Sequence, residues 1–521
     1  MKNALRILSL LLTLIMCLSV FAACGSKKND DDDETQGPGE GDNWWDEYDF
    51  KNQTIKFLVC DGDSATGTLP SRSIWVDPEG DLSFEVNSKV HDRNTFVESE
   101  LGVKIEMETC DQGGTSARIT PNLTIGMHEF DIVGAYQYYD LGLTIGENGG
   151  MFVNYESETY AKDIKVNVDN PWWDKELYDI LSYGGCSFWL SGDLSQPWIA
   201  SVFVSFVNGE LWNTYKDRIA ALPEAQGISD PFELVNKGLW TIDLWSEISK
   251  TVYVDKNANE KVDLGDIVGF LTYGDSLSNI MADGLAAGSK IKYSQRTDDG
   301  SWEMAFDNQM TGLFATKINK LYTESKACLM TSGGEDSLYL MEEFANGNGL
   351  MTVNQLHMSE LYLADMQNFL VLPVPKMLAS EKYSTTNHDN VTLFGIPITT
   401  ASEGKLLAAT VTLELMAEKS YEMVTPAYYE NALKTRYNHS DDLDAQGEMI
   451  DTIRESVYHD FAALYADLIG KAGSTSVTWF FRTNCMKDSV KTNLTKMNGS
   501  WASGLESVLE DIEAAYFMEI V

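Results

Sequence analysis

A switch of apolar period near the start of the body constrains the fold most. Thr54 to Cys60 is rich in β-branched, aromatic and aliphatic residues and reads as a strand. Val86, Val90, Val97 and Leu101 follow at spacings of four, seven and four, which places them on one helical face. Gly102 supplies the stop for that helix. Val103, Ile105 and Met107 then alternate with Lys104, Glu106 and Glu108, the period of a half-buried strand. Strand, helix, strand predicts a parallel pair joined by a right-handed crossover.

Phe130 to Gly134 predicts another buried strand, with Tyr136, Gln137, Tyr138 and Tyr139 just past its end. In open α/β sheets ligands sit at the carboxyl ends of strands. Asp61, Tyr136 and Gln137 are therefore expected on the rim of a site. Val202 to Val207 and Val268 to Thr272 read as further strands. Leu406, Ala409, Leu413 and Met416 mark an amphipathic helix, and the chain from about Ala401 reads as mostly helical. No internal repeat is evident.

The chain has 521 residues, 44% of them hydrophobic and 11% aromatic, enough for large cores and incompatible with global disorder. Its net charge of -41 argues against nucleic-acid binding and against a polybasic membrane patch. Six His leave little scope for a His-based metal centre. HExxH, GxSxG and Walker A patterns are absent.

The N-terminus gives a location. Lys2 and Arg6 precede an apolar run from Ile7 to Ala23, and Phe21-Ala22-Ala23-Cys24-Gly25-Ser26 resembles a bacterial lipobox with Phe21 at the usual Leu position. The resemblance implies that 1–23 is a signal peptide and Cys24 the lipidated first residue of the mature chain. An ordinary secretory signal or an uncleaved anchor are the alternatives. Residues 24–50 read as a flexible acidic tether. Cys60, Cys110, Cys186, Cys328 and Cys485 are widely spread with no CxxC, so zinc and redox motifs are absent. They are expected as buried thiols. Cys60 and Cys110 close neighbouring predicted strands, so a disulfide between them is the other reading.

Several short segments run in a characteristic order along most of the mature chain. They include Arg93-Asn94 before Leu101-Gly102-Val103, then Phe130-Asp131-Ile132-Val133, Pro171-Trp172-Trp173-Asp174 and Ser191-Gly192-Asp193. Phe206-Val207-Asn208-Gly209-Glu210-Leu211, Leu372-Pro373-Val374-Pro375-Lys376 and Pro426-Ala427-Tyr428-Tyr429 follow. Together with the lipobox they resemble the family 1 extracellular solute-binding proteins, lipid-anchored receptors of ATP-binding cassette importers. The resemblance implies a two-lobed α/β, periplasmic-binding-protein-like fold with an interlobe cleft and a hinge. Lobe one would be 51–196 with 371–424, and lobe two 197–370 with 425–521. It also implies a carbohydrate ligand, permease partners and a place on the outer face of the cytoplasmic membrane. A monomer is expected.

Candidate binding residues follow, each with a packing alternative. An aromatic face stacks on a pyranose while Asp, Asn and Gln read its hydroxyls. Trp172, Trp173, Asp193, Trp198, Tyr273 and Trp479 join Asp61, Tyr136 and Gln137 on that basis. Trp240 is assigned to the core of lobe two. Asp255, Asn257, Asn259, Asp263 and Asp266 place oxygens at the positions of an EF-hand-type loop, with Lys261 contributing its carbonyl. Position 6 is Glu260 rather than Gly, so structural calcium and a solvated acidic loop both stand. The function expected is non-catalytic capture of a carbohydrate, an oligosaccharide by preference, for import. The alternatives are a surface glycan-binding or sensory lipoprotein that feeds no importer, and a glycoside hydrolase, whose two carboxylates the sequence does not single out.

Overall fold

The computed structural model describes residues 43–60, 85–111, 113–145, 150–263, 265–325, 337–366, 368–429, 443–470 and 475–519. The expected signal peptide, Cys24, Asp61, Cys328 and most of the expected tether lie outside the described residues. The chain divides into two units, Met1–Asp46 and Glu47–Val521, and both sheets belong to the second. Among the described residues no helix is long and apolar enough to cross a membrane.

The first sheet has the order β11-β3-β1-β2, with β1 at Gln53–Cys60, β2 at Val103–Cys110, β3 at Ile132–Tyr136 and β11 at Thr392–Gly395. β1 runs parallel to β2, from Gln53 opposite Val103 to Cys60 opposite Cys110, as the period switch predicts. The connecting helix is Glu85–Leu101 and buries Val90, Val97 and Leu101. Gly102 then turns the chain at φ +58, where a Cβ would meet Asp49 Oδ1 at 2.7 Å. Cys60 and Cys110 face each other in this register as thiols, and Cys186 and Cys485 are thiols too. β3 ends two residues later than the sequence suggests, which puts Tyr136 inside the sheet.

The second sheet has the order β10-β4-β9-β6-β5, with β4 at Phe203–Asn208, β5 at Tyr253–Val254, β6 at Ile267–Phe270, β9 at Gly349–Gln355 and β10 at Phe369–Leu372. A chain of aromatic edges fills its core, running from Trp212 through Trp240 and Trp245 to Phe270 and Tyr322. Trp240 is fully buried and donates its indole N–H to the Pro373 carbonyl at 2.9 Å, as expected of a core residue. A two-stranded hairpin, β7 at Ser294–Arg296 and β8 at Trp302–Met304, packs against the helices Phe461–Leu464 and Val490–Glu519, with the Trp302 ring stacked on Phe461.

The return crossing to the first sheet falls later than the expected position of 371. β10 pairs with β4, and Lys376 and Asn387 still bridge to Thr241 and Val202, so the chain leaves lobe two between Asn387 and β11. The difference has a physical source: backbone pairing to the second sheet and its neighbours continues through Leu372, Lys376 and Asn387, which no local pattern in the sequence marks.

The helix Leu406–Lys419 is buried nearly all round rather than amphipathic. It packs against the helix Glu85–Leu101 and β1, and its Glu414 takes the neighbouring loop's polar groups. No strand follows β11 among the described residues, in keeping with the mostly helical reading of this region.

Replacing Trp240 by Ala should destabilise the second lobe by about 3–5 kcal/mol through lost contacts and a residual cavity. Urea unfolding followed by tryptophan fluorescence measures this, and a loss under 1 kcal/mol would contradict the packing described.

Candidate functional site

The carboxyl end of β3 meets the second lobe directly, so the lobes are closed on one another. Gln137 Nε2 donates to the Leu464 carbonyl at 3.4 Å. The Tyr138 ring stacks on Trp479 with centroids 5.1 Å apart and planes 6° from parallel. His459 Nε2 donates to Asp174 Oδ2 at 2.8 Å. Arg296 on β7 reaches the Asp179 carbonyl at 2.8 Å, and the Tyr183 hydroxyl donates to Glu513 at 2.9 Å.

A cavity of about 70 Å³ remains between the lobes. It has room for a few waters but lies far below the roughly 300–1,000 Å³ of pockets that enclose an organic ligand. Gln137 and Leu177 wall it from lobe one, Asn387 to Asp389 from the return crossing, and Asp283, Tyr458 and Thr478 from lobe two. Beside it opens a groove of about 1070 Å³, which shares the Tyr458 wall. Lys290, Lys292 and Lys382 line the groove together with Glu176, Asp307, Glu381 and Glu455, so its charge is mixed.

Arg482 organises the polar wall. Its Nε donates to Asp283 Oδ2 at 2.7 Å, and its guanidinium lies 4.4 Å from the centre of the Trp479 ring. A second nitrogen is 3.5 Å from His388 Nε2, while His388 Nδ1 is 2.8 Å from Asp389 Oδ1. Trp479 Nε1 donates to the other Asp389 oxygen at 3.4 Å. Burial pushes both carboxyls up, and the cationic neighbours decide the outcome differently for each. Asp283 stays above its ordinary value despite Arg482. Asp389 is pulled below it by His388, Arg482 and Trp479 together.

Two acceptors on this wall are unmet by protein. Asp283 Oδ1 and Asn387 Oδ1 are buried with no hydrogen-bond partner. Asn387 is held in that orientation because its Nδ2 donates to the Trp198 carbonyl and lies 3.4 Å from Ser201 Oγ. An unpaired buried acceptor costs about 1–3 kcal/mol, so both oxygens favour a partner that brings donors.

The expected site residues divide. Gln137 lines the cavity, and Trp479 stands next to it with its ring engaged by Tyr138 and Arg482. Tyr136 is buried in β3 beside Tyr139. Tyr273 is 2% exposed and belongs to the lobe-two core, because the preceding strand turns it inward. Trp172 and Trp173 anchor a loop instead of the cavity: their indoles donate to Glu414 Oε1 and Oε2 at 3.0 and 2.7 Å. Trp173, Asp193 and Trp198 line a separate chamber of about 250 Å³. Sequence reading did not single out Asp283, Arg482 or the run from Asn387 to Asp389. The consecutive polar residues Thr385 to Asn390, just before a buried strand, were the available signal for the last of these.

The 255–266 loop closes on its own backbone. Asp255 accepts from the amides of Asn259 and Glu260 at 3.3 and 2.8 Å. Asp266 accepts from Lys256 and Asp263 at 3.0 and 3.2 Å. The Asn257 amide donates to Asp263 at 2.9 Å, and the Asn259 amide also reaches Asp263. The Lys261 amide donates to Asn259 Oδ1 at 2.8 Å. Glu260 takes the left-handed φ of 61° that an EF-hand loop gives to Gly. Among the described residues no group of three or more His, Cys, Asp or Glu side chains is placed to hold a metal ion.

No protein-family model matches the sequence, and no curated protein matches it. Solved structures do match in fold. One is the GacH receptor of Streptomyces glaucescens, solved unliganded and in complex with acarbose, at 12% identity, 88% coverage of this chain, 99% of that one and a TM-score of 0.50. Another is an uncharacterised protein of Listeria monocytogenes EGD-e, at 13% identity, 88% and 100% coverage and a TM-score of 0.51. The chain therefore has the two-lobed, periplasmic-binding-protein-like α/β fold.

Arg482→Met should cost about 3–5 kcal/mol, because it leaves Asp283 buried without its cation. Adding Asp283→Asn should recover part of that loss. Chemical denaturation of both variants checks this, and equal stability of single and double variants would contradict the pairing.

Proposed function

We propose that this chain is a non-catalytic receptor of the solute-binding class that captures a carbohydrate between its lobes. The observation that carries the reading is the pair of unmet acceptors, Asp283 Oδ1 and Asn387 Oδ1, on the wall where the lobes meet. Sugar hydroxyls are donors of the right kind. The adjoining groove supports an oligosaccharide over a single sugar, since a chain could leave the interlobe wall and run along it. The acarbose complex of the GacH receptor, on the same fold, is consistent with this use of the cleft. Opening of the lobes admits the ligand, because the present cavity is too small for it.

Delivery to membrane permeases, anchoring through a lipid on Cys24 and residence outside the cell complete the proposal. They rest on the lipobox-like sequence and the acidic tether. A hydrolase reading is disfavoured because each of the three acids lining the cavity is already engaged: Asp283 by Arg482, Asp389 by His388, and Asp460 by the amides of Tyr293 and Ser294. Turnover of a glycan by the purified protein would revive it.

Calorimetric titration against a panel of neutral oligosaccharides tests the central reading. One or more should bind, and Asp283→Asn should lose roughly tenfold or more in affinity, the worth of about 1.5–3 kcal/mol for a charged hydrogen bond. Binding of another solute class with no response to any glycan would sink the proposal.

Calcium in the 255–266 loop is a further part of the proposal, resting on residue types and on the left-handed Glu260. Calcium should raise Tm in the wild type and leave Asp255→Ala unchanged. No Tm response of the wild type would remove the cation.

A further inference from the structure

The chamber of about 250 Å³ is closed off from the interlobe cavity. Neighbouring residues face opposite ways along the dividing wall: Val202 and Val457 line the chamber, and Phe203 and Tyr458 line the cavity. The Trp198 ring, which lines the chamber, lies 5.2 Å from the His459 ring, which lines the cavity. The chamber is thus a compartment of its own, next to the hinge.

Its interior has an unusual chemistry. Trp173, Trp198 and Tyr429 contribute aromatic surface. The Trp173 indole N–H is already spent on Glu414, so this side chain offers a ring and not a donor. Asp193 contributes a carboxylate whose Oδ2 is buried with no hydrogen-bond partner. Asp174, also on the wall, is occupied by His459 and by the Leu177 amide at 3.0 Å. Burial pushes the Asp193 carboxyl up to about 6, against the pull of Thr425 and Arg454. Those two pulls leave Oδ2 unmet, so the carboxylate can still take a cation, and aromatic rings beside it favour an organic one.

The mouth carries the opposite sign. Arg454 is exposed there, its guanidinium 4.3 Å from the centre of the Tyr429 ring. Lys175 is at the mouth too, but Asp179 at 2.9 Å and Asp169 at 3.6 Å balance it. Among the described residues lining the chamber, Arg454 is therefore the cation left to meet a ligand.

We infer that this chamber is a second binding site, for a small zwitterion whose ammonium enters beside Asp193 among the aromatic rings and whose carboxylate faces Arg454. Amino-acid-sized betaines have this chemistry and this size. The inference stands apart from the carbohydrate reading, since it uses none of the residues on the interlobe wall.

Calorimetry on the purified full chain tests it, with glycine betaine, choline and acetate as probes. Glycine betaine should bind, choline should bind at least tenfold more weakly, and acetate should not register. Asp193→Asn should lose betaine binding at least tenfold while its Tm at pH 7 is no lower than that of the wild type, because a disfavoured buried charge has gone. The same variant should titrate with any glycan that the wild type binds, so failure of one site is distinguishable from failure of the other. Absence of betaine binding to the wild type, or unchanged binding to Asp193→Asn, would overturn the site. Choline binding as tightly as betaine would overturn the zwitterion assignment.

Discussion

The contact on which the central wall depends is the buried pair between Arg482 and Asp283. One guanidinium draws together the helix Ile280–Gly288, the return crossing at His388 and Asp389, and the ring of Trp479. Bringing those acids out of water is costly unless a cation and further hydrogen bonds compensate. Arg482 is suited to this because its planar fork serves several partners at once. Its reach is not complete, however. It satisfies Asp283 Oδ2 and leaves Oδ1 bare, and that incompleteness gives the cavity its appetite for donors.

Closure follows from contacts on both sides of this wall. The stack of Tyr138 on Trp479, the bond between His459 and Asp174, and the clasp of the β7–β8 hairpin on Asp179 each tie one lobe to the other. Exchanging them for water costs little individually, which is what a hinge needs if it is to open and shut. The segments at the hinge also divide space. Alternation along Val202–Phe203 and Val457–Tyr458 sends adjacent side chains into different compartments, so one short wall separates two cavities of different chemistry.

The fold was legible wherever backbone order leaves a periodic trace. The strand–helix–strand switch from Thr54 to Met107 predicted the parallel pairing of β1 and β2, and the buried run at Val202 to Val207 predicted β4 within a residue. Trp240 was readable as core because it opens an apolar helix face. The site was less legible, for physical reasons. Trp172 and Trp173 have the residue type of stacking platforms, but a single buried carboxylate 242 and 241 residues further along the chain, Glu414, turns them into loop anchors. Tyr273 followed a strand and was expected on the rim, yet the strand ends facing the core. Asp283 and Arg482 come from distant parts of the chain, and only tertiary packing unites them. The nearby Asn387 to Asp389 had no periodicity to mark it.

The central claim is that a carbohydrate completes the wall by donating to Asp283 Oδ1 and Asn387 Oδ1. The most direct measurement is a crystal structure of the protein with its tightest-binding glycan. Sugar hydroxyls should lie within hydrogen-bond distance of both oxygens, with the remaining units running into the groove past Tyr458. A glycan bound elsewhere, with those two oxygens still unpaired, would contradict it.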